Sequence, residues 1–122
     1  MRSFVTDPMS YGRLHLAGDA AHIITPMGAK GMNLALSDAD TLATALTAAL
    51  RDGDPSKLAA YSADCLSRTW DAQEFSRWFT EMVHDAASGP FRRRLARARF
   101  ERLFRSPPAA AAFADLMAGT DY

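Results

Sequence analysis

Residues 17–35 read AGDAAHIITPMGAKGMNLA, and the fold turns on how this stretch is parsed. An Asp, a His, a Pro, a Lys and three glycines interrupt an otherwise apolar run. Taking an unpaired carboxylate out of water is costly. Asp19 is therefore either satisfied by protein neighbours or set to meet a ligand that carries hydroxyl groups. Upstream, residues 13–17 (RLHLA) alternate polar and apolar side chains and stop at Gly18-Asp19, the pattern of a short strand closed by a turn. No second segment has strand character, and one strand makes no sheet. Its pairing partners are expected from another chain or from sequence beyond these residues.

Downstream the period becomes helical. Leu34, Ala35, Ala39, Leu42, Leu46 and Leu50 repeat at helical spacing over residues 32–50, and Arg51-Asp52-Gly53 supplies a stop. Asp54-Pro55-Ser56 offers an N-cap with proline at the first helical position. A long helix then runs to about residue 85. Leu58, Tyr61, Cys65, Ala72, Phe75, Phe79 and Met82 mark its apolar face, widened by Leu66, Trp70 and Trp78. Gly89-Pro90 breaks it. A third helix is predicted over 91–105 and, after Ser106-Pro107-Pro108, a short alanine-rich one over 109–117. The expected fold class is mainly α, one short strand plus about four helices, forming part of a larger α/β protein.

Composition narrows the classes. The 122 residues suffice for one small domain at most, and a 48% hydrophobic content excludes a disordered chain. Zero formal net charge gives no global pull toward nucleic acid or membrane. The single Cys65 excludes a disulfide framework and fits a reducing cytosol. No apolar run reaches membrane-span length and no signal-type stretch follows Met1, so a cytoplasmic protein is expected. His15 and His84 show no metal-ligand spacing, and no metal site is expected.

The loop carries the chemistry. A carboxylate at a strand end accepts charge-assisted hydrogen bonds from a polyol. Gly28 and Gly31 allow backbone to approach a flat ligand where a Cβ would collide. The helix starting near Met32 presents unpaired N–H groups and a positive dipole end, and Lys30 adds a full charge beside it. A polyol at one end and an electron-accepting ring at the other describe a flavin.

The string GDAAH…P.GAKG.NLA..D, within RSFVTDPMSYGRLHLAGDAAHIITPMGAKGMNLALSDADTLA, resembles the second flavin-contacting region of the class A flavin-dependent aromatic hydroxylases. The Gly-Asp pair alone marks only the superfamily. The longer string, with YSADCLSRTWDAQEFSRWFTEMVH after it, is most similar to the branch acting on 4-hydroxybenzoate. The resemblance spans most of the chain and weakens after about Pro90. It implies an α/β FAD-binding monooxygenase fold, with residues 1–50 the C-terminal part of its FAD-binding domain and 51–122 a helical dimerisation region. It also implies FAD as cofactor, NADPH as co-substrate, O2 and a phenolic acid as substrates, and a homodimer at full length. Asp19 would bond the ribityl chain. Gly31, Met32 and Asn33 would face the pyrimidine side of the ring, the last two through their backbone amides. Lys30 would raise the local positive potential, and the Pro26 carbonyl would accept the substrate's phenolic O–H. No residue is assigned as a chemical catalyst beyond this electrostatic role of Lys30.

The sequence departs from that pattern in four places. The family string has proline where Thr25 stands and threonine where Met27 stands. Its proton-relaying tyrosine aligns with Met117, which carries no proton, and the nearest tyrosine is Tyr122. A G-x-G-x-x-G dinucleotide turn is absent, so the 122 residues alone are expected to be an inactive fragment. Two other readings stand beside this one: a flavin hydroxylase for another phenolic substrate, and a non-catalytic helical interaction module. Seven arginines over 91–105 are expected to make a subunit contact and not a nucleic-acid site, since they lie all around the helix. His22 reads as a structural residue, and the aromatic cluster Trp70, Phe75, Trp78 and Phe79 as packing.

Overall fold

The computed structural model describes residues 2–84 and 89–119. Its order is β1 (Phe4–Val5), β2 (Ser10–Tyr11), β3 (Leu14–His15), a 3-10 turn (Gly18–Ala20), β4 (His22–Ile23), α1 (Gly31–Arg51), α2 (Ser56–His84), α3 (Pro90–Arg105) and α4 (Pro107–Ala118).

The expectation of one strand awaiting outside partners is corrected: four two-residue strands pair among themselves. β2 and β3 form an antiparallel hairpin with Ser10 opposite His15 and Tyr11 opposite Leu14. Gly12 takes the left-handed φ of 60° that its two-residue turn requires. β1 pairs antiparallel with β4, with Phe4 opposite Ile23 and Val5 opposite His22. Ladders of two residues are too short to show an alternating pattern, and the second joins segments distant in sequence. Two backbone bonds extend them, Thr6 N to Ala21 O at 2.7 Å and Leu16 N to Met9 O at 2.9 Å.

The four expected helices are present, with ends shifted by a residue or two. α1 stops where Asp52 and Asp54 both donate their N–H to Ala48 O, around the left-handed Gly53. Asp54 Oδ1 accepts the Ser56 N–H at 2.9 Å, and the Pro55 carbonyl accepts the first intrahelical bond of α2. Ser106 closes α3 and opens α4: its N–H donates to Arg102 O, and its carbonyl accepts from Ala110 N.

α1 and α2 pack along their length with the strand-and-turn segment laid over them. Met9, Ala21, Tyr61 and Cys65 form one buried cluster, flanked by Leu16, Leu42 and Leu66. Ile24, Leu34 and Ala72 form a second. The overlying backbone is held by side chains of α2: Tyr61 Oη donates to Leu16 O at 2.7 Å, Gln73 Nε2 donates to Ile23 O at 2.9 Å, and Ser62 Oγ accepts from Met9 N at 2.8 Å. These bonds satisfy loop backbone groups with side chains of α2 and so tie the loop's path to that helix. Phe75, Trp78 and Phe79 meet Phe113 of α4 with ring centroids about 6 Å apart. Trp70, expected in the same cluster, is 53% exposed and lies outside it.

Candidate functional site

Asp19 sits at the tip of the 3-10 turn, exposed, and among the described residues its carboxylate has no hydrogen-bond or ion-pair partner. The buried carboxylate of this region is Asp38, on α1. Asp38 Oδ2 accepts the Gly18 N–H at 3.0 Å and the His22 Nε2–H at 2.7 Å. An ionised carboxylate only accepts, so Nε2 of His22 carries the proton in this pair. Burial opposes the ionisation of Asp38, but the bonds from His22 and Gly18 outweigh it and hold the carboxyl below the ordinary aspartate value. The opening puzzle therefore resolves in two parts. The turn's exposed carboxylate is unspent, and a second carboxylate, the Asp38 that closes the string NLA..D and was given no role there, secures the turn from beneath. The signal for Asp38 was available: it occupies the apolar stripe of α1 between Leu34 and Ala45, all three buried.

The turn lies directly on α1. A Cβ built on Gly18, whose φ is 59°, would come within 3.2 Å of the Ala35 Cβ. Between turn and helix, residues 26–29 make a tight turn closed by Ala29 N to Pro26 O at 3.0 Å, with Gly28 at φ 91° and Ala29 at φ 53°. The Pro26 carbonyl thus already accepts one bond and keeps its second lone pair. It borders a cleft of about 240 Å³ lined by Thr25, Pro26, Met27, Thr80 and His84. The Thr25 hydroxyl is hydrogen-bonded to that of Ser3 at 2.9 Å.

α1 begins at Gly31 without a side-chain cap, Met32 is 72% exposed and Asn33 is exposed. The first amides of a helix have no intrahelical acceptor, so this end offers donors and a partial positive charge to solvent. A Cβ on Gly31 would meet no protein atom within 4 Å. The donor set suits FAD: an unpaired carboxylate for polyol hydroxyls and an uncapped helix end for the electron-rich edge of the ring.

Lys30, immediately before α1, is buried, and its Nζ donates to the Met117 carbonyl at 2.6 Å, 5.9 Å from the centre of the Phe75 ring. Burial lowers its pKa from the ordinary lysine value. The ammonium thereby meets a carbonyl in the last turn of α4, where a helix dipole favours a cation. Met117, the position aligned with the relay tyrosine, takes part through its carbonyl; Tyr122 lies outside the described residues. The structure thus seats the Asp19 turn against Ala35 and Asp38 of α1, the helix that opens with Gly31, Met32 and Asn33, with Pro26 on the loop between and Lys30 buried just before the helix. A groove of about 560 Å³ between β1 and α2 contains none of them.

Residues 1–76 match the family described as FAD binding domain. The chain is 51% identical over 84 residues to p-hydroxybenzoate hydroxylase of Acinetobacter baylyi, a match covering 69% of this chain and 21% of that protein. It is 48% identical over 54 residues to para-nitrophenol 4-monooxygenase of Pseudomonas sp. strain WBC-3, covering 43% and 13%. It is 35% identical over 92 residues to rifampicin monooxygenase of Rhodococcus hoagii, covering 75% and 19%. The matches span about a fifth or less of these relatives. Because the family match takes in more than half of the chain, the protein belongs to the FAD binding domain family.

Proposed function

We propose that these residues form the ribityl- and ring-facing part of the flavin site in an FAD-dependent aromatic-ring hydroxylase that converts 4-hydroxybenzoate into the 3,4-dihydroxy acid with NADPH and O2. The observation that carries this reading is the pairing of an exposed, unpartnered Asp19 with the uncapped start of α1. That pairing falls in a chain half-identical over 84 residues to p-hydroxybenzoate hydroxylase.

FAD, when bound, supplies the redox chemistry that activates O2, and the protein binds, orients and shields. Asp19 accepts hydrogen bonds from the ribityl hydroxyls. The amides of Met32 and Asn33 stabilise negative charge at the pyrimidine side, and the charge of Lys30 adds to the positive potential there. The second lone pair of the Pro26 carbonyl accepts the phenolic O–H, which orients the ring and raises its electron density. The cleft beside Pro26 supports this placement, because a cavity of about 150 Å³ suffices for benzene. Thr25 and Met27 line the same cleft and give a specific reason to consider another phenol as second substrate class.

Since the chain spans about a fifth of that relative, the activity is proposed for the assembled enzyme, and the 122 residues alone are proposed to be inactive. Residues 1–50 are assigned to its FAD-binding domain and 51–122 to a helical region that makes the homodimer contact through α3. In that helix Arg97 and Arg105 share Glu101, leaving Arg94, Arg99 and Arg102 to engage carboxylates of a partner. The test is chromatographic product analysis on the natively purified protein with NADPH, O2 and a panel of phenols. Formation of 3,4-dihydroxybenzoate is the expected result. Turnover of a different phenol would move the assignment to the second class, and FAD-loaded protein that hydroxylates none would overturn it.

A further inference from the structure

We infer that Asp38 is a positioning residue for the flavin: its carboxylate holds both ends of the turn that presents Asp19 and fixes where that turn lies along α1. The inference rests on the flavin reading above and concerns a residue that contacts no ligand itself.

One oxygen, Oδ2, takes the Gly18 N–H at the start of the turn and the His22 Nε2–H just beyond its end. Asp19 lies between these anchors with its side chain free to face solvent. Asp38 belongs to the helix whose first residues, Gly31 to Asn33, make up the other half of the site. A carboxylate two turns along that helix therefore sets the spacing between the polyol contact and the ring contact. The close seat of Gly18 on Ala35 leaves the turn little room to slide. Asp38 and His22 are 0% and 1% exposed, so solvent does not compete for these bonds. The other charged or titratable groups around the carboxylate are Tyr61, Cys65 and Arg68, all on α2. Asp38 Oδ1 has no hydrogen-bond partner among the described residues, so the carboxylate's partnered oxygen is the one committed to the turn. A buried pair serving the core alone would have no need to reach the Gly18 amide.

The experiment compares wild type and Asp38→Asn, each as the natively purified, assembled enzyme, by FAD titration and by ¹H–¹⁵N spectra of the same samples. In the variant we expect FAD affinity to fall by about ten-fold or more while Asp19→Ala adds little further loss, the non-additivity of two residues acting through one turn. The amide signals of Gly18 and Asp19 should move, and the helical circular dichroism should not. Unchanged FAD affinity together with unmoved Gly18 and Asp19 signals would overturn the inference. If wild type binds no FAD, the flavin reading fails. The positioning role is then decided by the spectra alone: movement of the Asp19 amide in the variant supports it, and its absence refutes it. If the variant does not fold, acid titration of wild type decides. Gly18 and Asp19 amides that shift together as Asp38 is protonated support the role, and static amides refute it.

Discussion

Replacing Gly28 with alanine separates the structural demands of the loop from its ligand-facing ones. Gly28 has φ 91°, and a Cβ there would lie 2.9 Å from Phe75 Cε1. Phe75 cannot give way cheaply. It is 1% exposed and held by Trp78, Phe79 and Phe113, with ring centroids 6.2, 5.9 and 6.1 Å away. The left-handed backbone costs a non-glycine residue about 1–2 kcal/mol, and overpacking a tight core costs about 1–3 kcal/mol more. Gly28→Ala is therefore expected to destabilise by about 2–5 kcal/mol, a large share of a small domain's stability. Gly53, also left-handed at 69° but with open space around it, isolates the backbone part, and its alanine variant should lose only about 1–2 kcal/mol. Gly31 has neither constraint, so Gly31→Ala should leave stability within about 0.5 kcal/mol or raise it slightly. Urea unfolding monitored by circular dichroism, with the slope unchanged across the set, reads all three. Equal losses for Gly28→Ala and Gly53→Ala would refute the contact with Phe75.

Two further outcomes follow from the buried charges. The stabilising contribution of Asp38 is complete above its unfolded-state value of about 3.9 and is lost as pH falls through its lower folded-state value. Stability measured from pH 7 downward should therefore decline less steeply in Asp38→Asn than in wild type, and parallel profiles would contradict the ionised pair. Lys30→Met removes the donor to Met117 O and should cost about 1.5–3 kcal/mol, the range for a hydrogen bond to a charged group. Hydrogen exchange should then quicken at the C-terminal turn of α4 while α1 and α2 keep their protection; uniform quickening would contradict a local latch.

α1 and α2 were legible from their apolar stripes, and α2, α3 and α4 also from the prolines and glycine at their borders, as at Asp54-Pro55, Gly89-Pro90 and Ser106-Pro107. Of the strands, β3 falls inside the expected 13–17 segment, but the other three were not legible. Phe4–Val5 and His22–Ile23 are two residues each, and their pairing is fixed by where α1 and α2 hold the loop, not by any local alternation. At the site, Asp19, Gly31, Met32 and Asn33 could be read as a group because they share one segment. Asp38 could not be tied to the turn from spacing alone: its link to Gly18 and His22 crosses sixteen to twenty residues. The contact of Lys30 with α4 could not be read from sequence for the same reason, since its partner carbonyl lies eighty-seven residues along the chain.

The central claim is that Asp19 meets the hydroxyls of a flavin. Titrating the natively purified, assembled enzyme and its Asp19→Ala variant with FAD, followed by quenching of the isoalloxazine fluorescence, tests it most directly. Saturable binding by wild type and a weakening of about ten-fold or more in the variant, the loss of charge-assisted hydrogen bonds, is the predicted result. Equal affinity in the two proteins, or no binding by either, would contradict it.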